Sequence, residues 1–160
     1  MSWDHRIIAP AEAGAVLANP GEHAPRTPIG TYRAVRDWIT SHAAEWHPRD
    51  VDSVVVTLGP DGYAELHLKT AHHCETQAMF SAGGEPEDNA LRDRWREFKK
   101  SYVPSDDQLV VEISIEGRGS GDITLLAECA AAFNAVVFDC QSSEILTPHE
   151  WLGQGRFREI

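Results

Sequence analysis

Two runs of residues flank the tetrapeptide Gly59-Pro60-Asp61-Gly62, and together they constrain the fold more than any other part of the chain. Val51 to Leu58 is rich in β-branched residues and reads as a buried strand. Proline presets its own backbone angle and glycine accepts the left-handed conformation, so the tetrapeptide has the chemistry of a turn. Beyond it, Tyr63 to Thr70 alternates strictly. Ala64, Leu66 and Leu68 point one way, and Tyr63, Glu65, His67 and Lys69 point the other. A period of two belongs to a strand, so the two runs predict an antiparallel hairpin with one apolar and one polar face. Cys74, Thr76, Ala78 and Phe80 continue the pattern as a third strand. The apolar face then needs a covering layer.

Helical patterns supply that layer. Thr31 reads as an N-cap, and Tyr32, Val35, Ile39, Ala43 and Trp46 recur at helical spacing until Pro48 stops the run. Gly83 and Gly84 break the preceding strand, and Glu85, Glu87 and Asp88 begin a second helix, where negative charge suits the N-terminal dipole. Its buried face is Leu91, Trp95, Phe98 and Tyr102, and Pro104 ends it. Trp38, Trp46 and Trp95 are thereby placed in the core, while Trp3 and Trp151 clamp the chain ends to it. Residues 1–30 form an irregular arm with a short edge strand at Trp3–Ile8 and one or two helical turns at Ala11–Leu17. The last residues, 153–160, read as a mobile tail. No repeat or linker divides residues 1–160, so the expected architecture is one α+β domain, a largely antiparallel sheet with two or three helices packed on one face.

The stretch Leu109 to Asp139, LVVEISIEGRGSGDITLLAECAAAFNAVVFD, makes the most definite chemical proposal. A strand with Leu109, Val111, Ile113 and Ile115 on one face enters three glycines; a helix follows, and a second strand ends on Asp139. That order resembles the dinucleotide-binding fingerprint of Rossmann proteins, in which glycines let backbone N–H groups approach a pyrophosphate. Asp122, however, stands where the third glycine belongs. Its carboxylate takes the helix N-terminus that a phosphate needs. Only about twenty residues follow Asp139, too few to complete a parallel sheet. A self-capped helix is the expectation, with Asn134 as its left-handed end, and a nucleotide- or dinucleotide-binding enzyme or regulator using Gly117–Asp122 is the alternative.

Charge narrows the function classes. Acidic residues outnumber basic ones 25 to 14, giving a formal net charge of −11, whereas nucleic-acid binders and anionic membranes require clustered Lys and Arg. No apolar run reaches the ~20 residues of a membrane span, and Asp4, His5 and Arg6 interrupt any signal-peptide pattern, so a cytoplasmic location is expected. Three cysteines without a CxxC pair fit a reducing compartment. His72, His73 and Cys74, with Cys140 and His149, are the residues that invite a metal, but adjacent histidines on a strand face opposite ways and the spacing demands no site. Thiol triads drawn from Cys74 or Cys140 with Asp139 carry no local signature. Neither catalytic residues, cofactor nor metal are expected.

The closing segment, LLAECAAAFNAVVFDCQSSEILTPHEWL, combines a short helix, a strand, a polar turn, a strand and a Thr147–Glu150 capping box with Pro148 at the first helical position. It resembles the ends of small bacterial immunity proteins encoded beside polymorphic or secreted antibacterial toxins. The resemblance implies a cytoplasmic, non-enzymatic protein that binds one protein partner tightly, a basic toxin domain. It carries no site residues with it. From the residues alone, Tyr63, Glu65 and His67 on the hairpin and Glu85, Glu87 and Asp88 at the second helix are the candidate docking surfaces.

Overall fold

The Gly59–Gly62 turn joins two strands in antiparallel register, with Val56 opposite Ala64 and Thr57 opposite Tyr63. The computed structural model describes residues 2–20, 23–50, 52–74, 76, 89–101 and 104–154. Its strands are β1 (Ser2–Ile8), β2 (Gly30–Thr31), β3 (Trp46–Asp50), β4 (Ser53–Thr57), β5 (Gly62–Thr70), β6 (Leu109–Gly119), β7 (Val136–Asp139) and β8 (Glu144–Leu146). They form one sheet in the order β3-β4-β5-β6-β1-β7-β8, and β2 pairs with the first residues of β6. Every paired neighbour is antiparallel. The chain is a single α+β domain.

Alternation divides the sheet into two faces. Trp3, Ile7, Val54, Val56, Ala64, Leu66, Leu68, Ile113, Ile115 and Val137 join one core with the helices Tyr32–His42, Thr124–Ala132 and Pro148–Gln154. On the second face, Val16 of the Ala13–Ala18 helix meets Ile8 and Phe138. Local signals hold where their chemistry is local. Thr31 accepts a bond from the Ala34 N–H, and Asn134 takes φ 52° just past its helix. Thr147 and Glu150 exchange the two bonds of a capping box at 3.0 and 3.1 Å. Asp122 bonds the Thr124 N–H at 2.9 Å from one residue before the formal cap.

Several sequence expectations change for reasons of tertiary packing. Trp3–Ile8 lies inside the sheet, paired on both sides by β6 and β7, and is no edge strand. The first helix ends at His42; Trp46 begins edge strand β3 and is 45% exposed, so it is not core. Pro48 sits on that edge, where a missing N–H costs least. Residues 71–74 and 76 are helical where a third strand was expected. A register shift at Lys69/Thr70 gives Val110 the core position that strict alternation assigns to Val111 and leaves Leu109 exposed. The helix Asn89–Ser101 is present, with Trp95 and Phe98 against His73. Residues 77–88, 102–103 and 155–160 lie outside the described residues, and with them Ala78, Phe80, Glu85, Glu87, Asp88, Tyr102 and most of the tail.

The N-terminal arm is organised by one carboxylate. Glu12 accepts bonds from the Arg26 and Thr27 N–H groups at 3.1 and 3.0 Å, from the Thr27 hydroxyl at 2.8 Å, and from His23. Burial pushes its acidity the other way, but the bonds from His23, Thr27 and the backbone outweigh it and hold the pKa down at about 2 from an ordinary 4.5. A depressed carboxylate stabilises the fold fully above its unfolded value and loses that contribution as the pH falls through its folded one. Glu12→Gln is therefore expected to lose about 1–3 kcal/mol at neutral pH. Its stability should also fall less steeply between pH 4.5 and 2 than that of the wild type. Urea unfolding across that range checks both.

Candidate functional site on the polar face of the sheet

The polar half of the hairpin alternation meets the polar half of β6 and β1. Register places Glu65 opposite Glu116, and Glu116 opposite Asp4. His47 and Val55 extend the same row across β3 and β4. The next row runs His67, Ser114, Arg6 and Phe138, and beyond it Lys69, Glu112 and Ile8. Tyr63 faces Arg118 at the other side of the carboxylate row and is 42% exposed. Period two thus brings the predicted trio Tyr63, Glu65 and His67 together on one surface.

The two ends of this face differ in charge balance. Glu112 is buried and receives Arg6 at 2.8 Å and Lys69 at 3.7 Å, one cation for each oxygen. Glu65 is only 8% exposed; Arg49 Nη1 stands 3.3 Å from its Oε2, and His67 Nε2 stands 3.2 Å from its Oε1. Glu116 is exposed and forms no ion pair among the described residues. Like charges directly opposite on adjacent strands repel. Sequence patterning found Glu65 and His67. It missed Glu116, Asp4 and Arg49, whose membership depends on strand register; the β6 alternation Glu112, Ser114, Glu116, Arg118 was the available signal.

The other sequence candidates are separated or enclosed. Asp139 and His5 are fully buried on the core face, 3.7 Å apart, and the His5 ring lies 4.8 Å from that of Trp151. Asp139 Oδ1 also accepts from the Gln141 N–H at 3.0 Å, closing the polar turn. Cys140, the next residue, is exposed; partial burial of its thiol, with Asp4 and Glu112 nearby, raises its pKa against the opposing pull of Arg6. A triad through both Cys140 and Asp139 is therefore not assembled. His73 pairs with Asp52 at 3.5 Å in a buried site beneath Trp95. His72, His73 and Cys74 converge on no common point with Cys140 or His149. Among the described residues, the cluster of possible metal donors is instead Glu65, His67 and Glu116.

The glycines of the 109–139 stretch are consumed by packing. Gly117 and Gly119 lie within β6, not in a loop. The Trp3 indole lies across Gly117 and donates to the Gly119 carbonyl at 3.1 Å. Gly119, at φ 72°, and Gly121 leave room only for the Asp61 and Leu58 carbonyls. β6, the Thr124–Ala132 helix and β7 do form a β-α-β crossover, since both strands run antiparallel to β1 and hence parallel to each other. But β1 fills the position between them, where a nucleotide crevice requires adjacent strands. A shallow depression of about 340 Å³ beside the loop is lined by Asp61 and Asp122, which repel phosphate. No described helix is long and apolar enough to cross a membrane. Comparison with family models, curated proteins and solved structures found no match.

Two measurements follow from this geometry. Gly117→Ala places a methyl group inside the Trp3 ring, so a loss of about 1–3 kcal/mol in chemical denaturation is expected. Gly14→Ala, in open space on a helix, should gain about 0.5–1 kcal/mol. Burial pushes the Cys129 thiol up to about 12, so a thiol reagent at neutral pH should label Cys140 in the native state and reach Cys129 only on unfolding. Cys140→Ser should remove the native signal.

Proposed function

We propose that this chain is a non-enzymatic binding protein that docks one basic protein partner on the polar face of β5, β6 and β1. In its most concrete form it is an immunity protein that occludes the active site of a cognate antibacterial toxin. The observation that carries this proposal is Tyr63, exposed beside the Glu65–Glu116–Asp4 row, in which Glu116 forms no ion pair among the described residues. A tyrosine offers a large, stiff contact with a polar tip. Carboxylates set against each other are stabilised when a partner's lysine or arginine enters between them. The net charge of −11 extends that attraction outward and speeds encounter with a basic surface. Cytoplasmic location belongs to the same proposal.

Enzymatic function is less well supported by the same surface. The His5–Asp139 pair is fully buried and the His73–Asp52 pair nearly so.

The test is protection. The protein encoded next to this chain is expressed in a bacterial host with and without it, and growth is followed. Growth arrest relieved by the wild-type chain is expected. Tyr63→Ala combined with Glu116→Arg should weaken partner binding at least about tenfold and flatten its salt dependence. Unchanged protection and binding by that variant would remove this face from the proposal, and a neighbour harmless on its own would remove the immunity role.

A further inference from the structure

We infer that Glu65, His67 and Glu116 form a binding site for a divalent transition-metal ion, zinc in particular, with one coordination position left for a further ligand. Strand period places Glu65 and His67 on one face two residues apart, and register sets Glu116 opposite Glu65. Their donor atoms all lie within 4.8 Å of one another. Metal–ligand bonds of about 2.0–2.2 Å put neighbouring donors of a tetrahedral shell roughly 3.3–3.6 Å apart. Glu65 Oε1 and His67 Nε2 already stand at 3.2 Å, so one edge of the shell is preset. Glu116, an exposed side chain on a central strand, closes the rest by a rotamer adjustment.

Two independent features support a ligand here. Arg49 approaches Glu65 through Oε2 at 3.3 Å, leaving Oε1 turned toward His67; a carboxylate held this way by a partner outside the shell is how metal ligands are oriented. The second feature is the contrast along β6. Glu112, on the same face of the same strand, is matched by Arg6 and Lys69, whereas Glu116 meets Glu65 and Asp4. A cation between Glu65 and Glu116 turns that opposition into a bridge.

The donor set decides the metal class. One imidazole and two carboxylates, with no thiolate, disfavour copper(I); the imidazole disfavours magnesium and calcium. Zinc and its spectroscopic substitute cobalt(II) fit three protein donors plus one further position. That position takes a water or a donor atom of a docked molecule. The inference does not rest on the docking proposal, because the metal is held by this chain alone.

The test uses untagged full-length protein, stripped of metal and titrated with Co²⁺ and then Zn²⁺. One equivalent of Co²⁺ with a visible d–d band, displaced by Zn²⁺, is expected. His67→Ala and Glu116→Gln should each weaken binding by roughly a hundredfold or more, beyond the loss typical of outer-shell changes. His72→Ala and Cys74→Ser should leave it unchanged. Absence of the band, or affinity undiminished in His67→Ala and Glu116→Gln, overturns the site. Circular dichroism monitors folding, and Glu116→Gln, at an exposed position, decides alone if His67→Ala does not fold.

Discussion

The insertion of β1 between β6 and β7 is the constraint on which the rest of the structure depends. Seven residues at the start of the chain join a meander, β3 to β6, to a closing unit, β7 and β8. Their two ladders reach residues 112–118 on one side and 136–139 on the other. Without β1, both strands would present raw edges and the sheet would divide. The same strand serves both faces. Trp3, His5 and Ile7 enter the core, while Asp4 and Arg6 lie on the polar face and Ile8 packs against Val16 and Phe138. The Trp3 indole also explains why Gly117 must lack a side chain. A glycine pattern that suggests phosphate chemistry is thus the imprint of a tryptophan from the far end of the chain.

What the sequence made legible was what neighbours in sequence decide. The hairpin, the Thr31 cap, the left-handed Asn134 and the Thr147–Glu150 box are each settled within a few residues, and each formed. Trp46 misled because an apolar residue three after Ala43 fits a helix until Pro48 finds an edge strand instead. Val111 misled because a bulge depends on the partner strand. The central place of β1 was illegible for a like reason, since seven alternating residues look the same at an edge or in the middle. For the site, period two sufficed to unite Tyr63, Glu65 and His67. Glu116, Asp4 and Arg49 required the register of three further strands.

Burial and charge balance then separate the acidic groups that hold the fold from those left for chemistry. Glu12, Glu112 and Asp139 are buried, and each is met by donors: backbone N–H groups and His23, two cations, and the N–H groups of a turn, with His5 3.7 Å from Asp139. A buried carboxylate without such partners is costly, so their satisfaction is what the fold demands. Glu65 stands between the two classes, buried yet supported by one arginine and one histidine. Glu116 is outside the fold's own requirements altogether. Replacing it removes no bond that the described structure uses and relieves a repulsion with Glu65, so stability alone favours a neutral residue there. Glu116, set against Glu65 and Asp4 and near the exposed Tyr63, is the carboxylate for which we propose a cation brought from outside, whether a metal ion or a partner's basic side chain. The first of these needs only this chain and is decided by Co²⁺ alone; the second needs a partner and shows itself as a salt-dependent affinity.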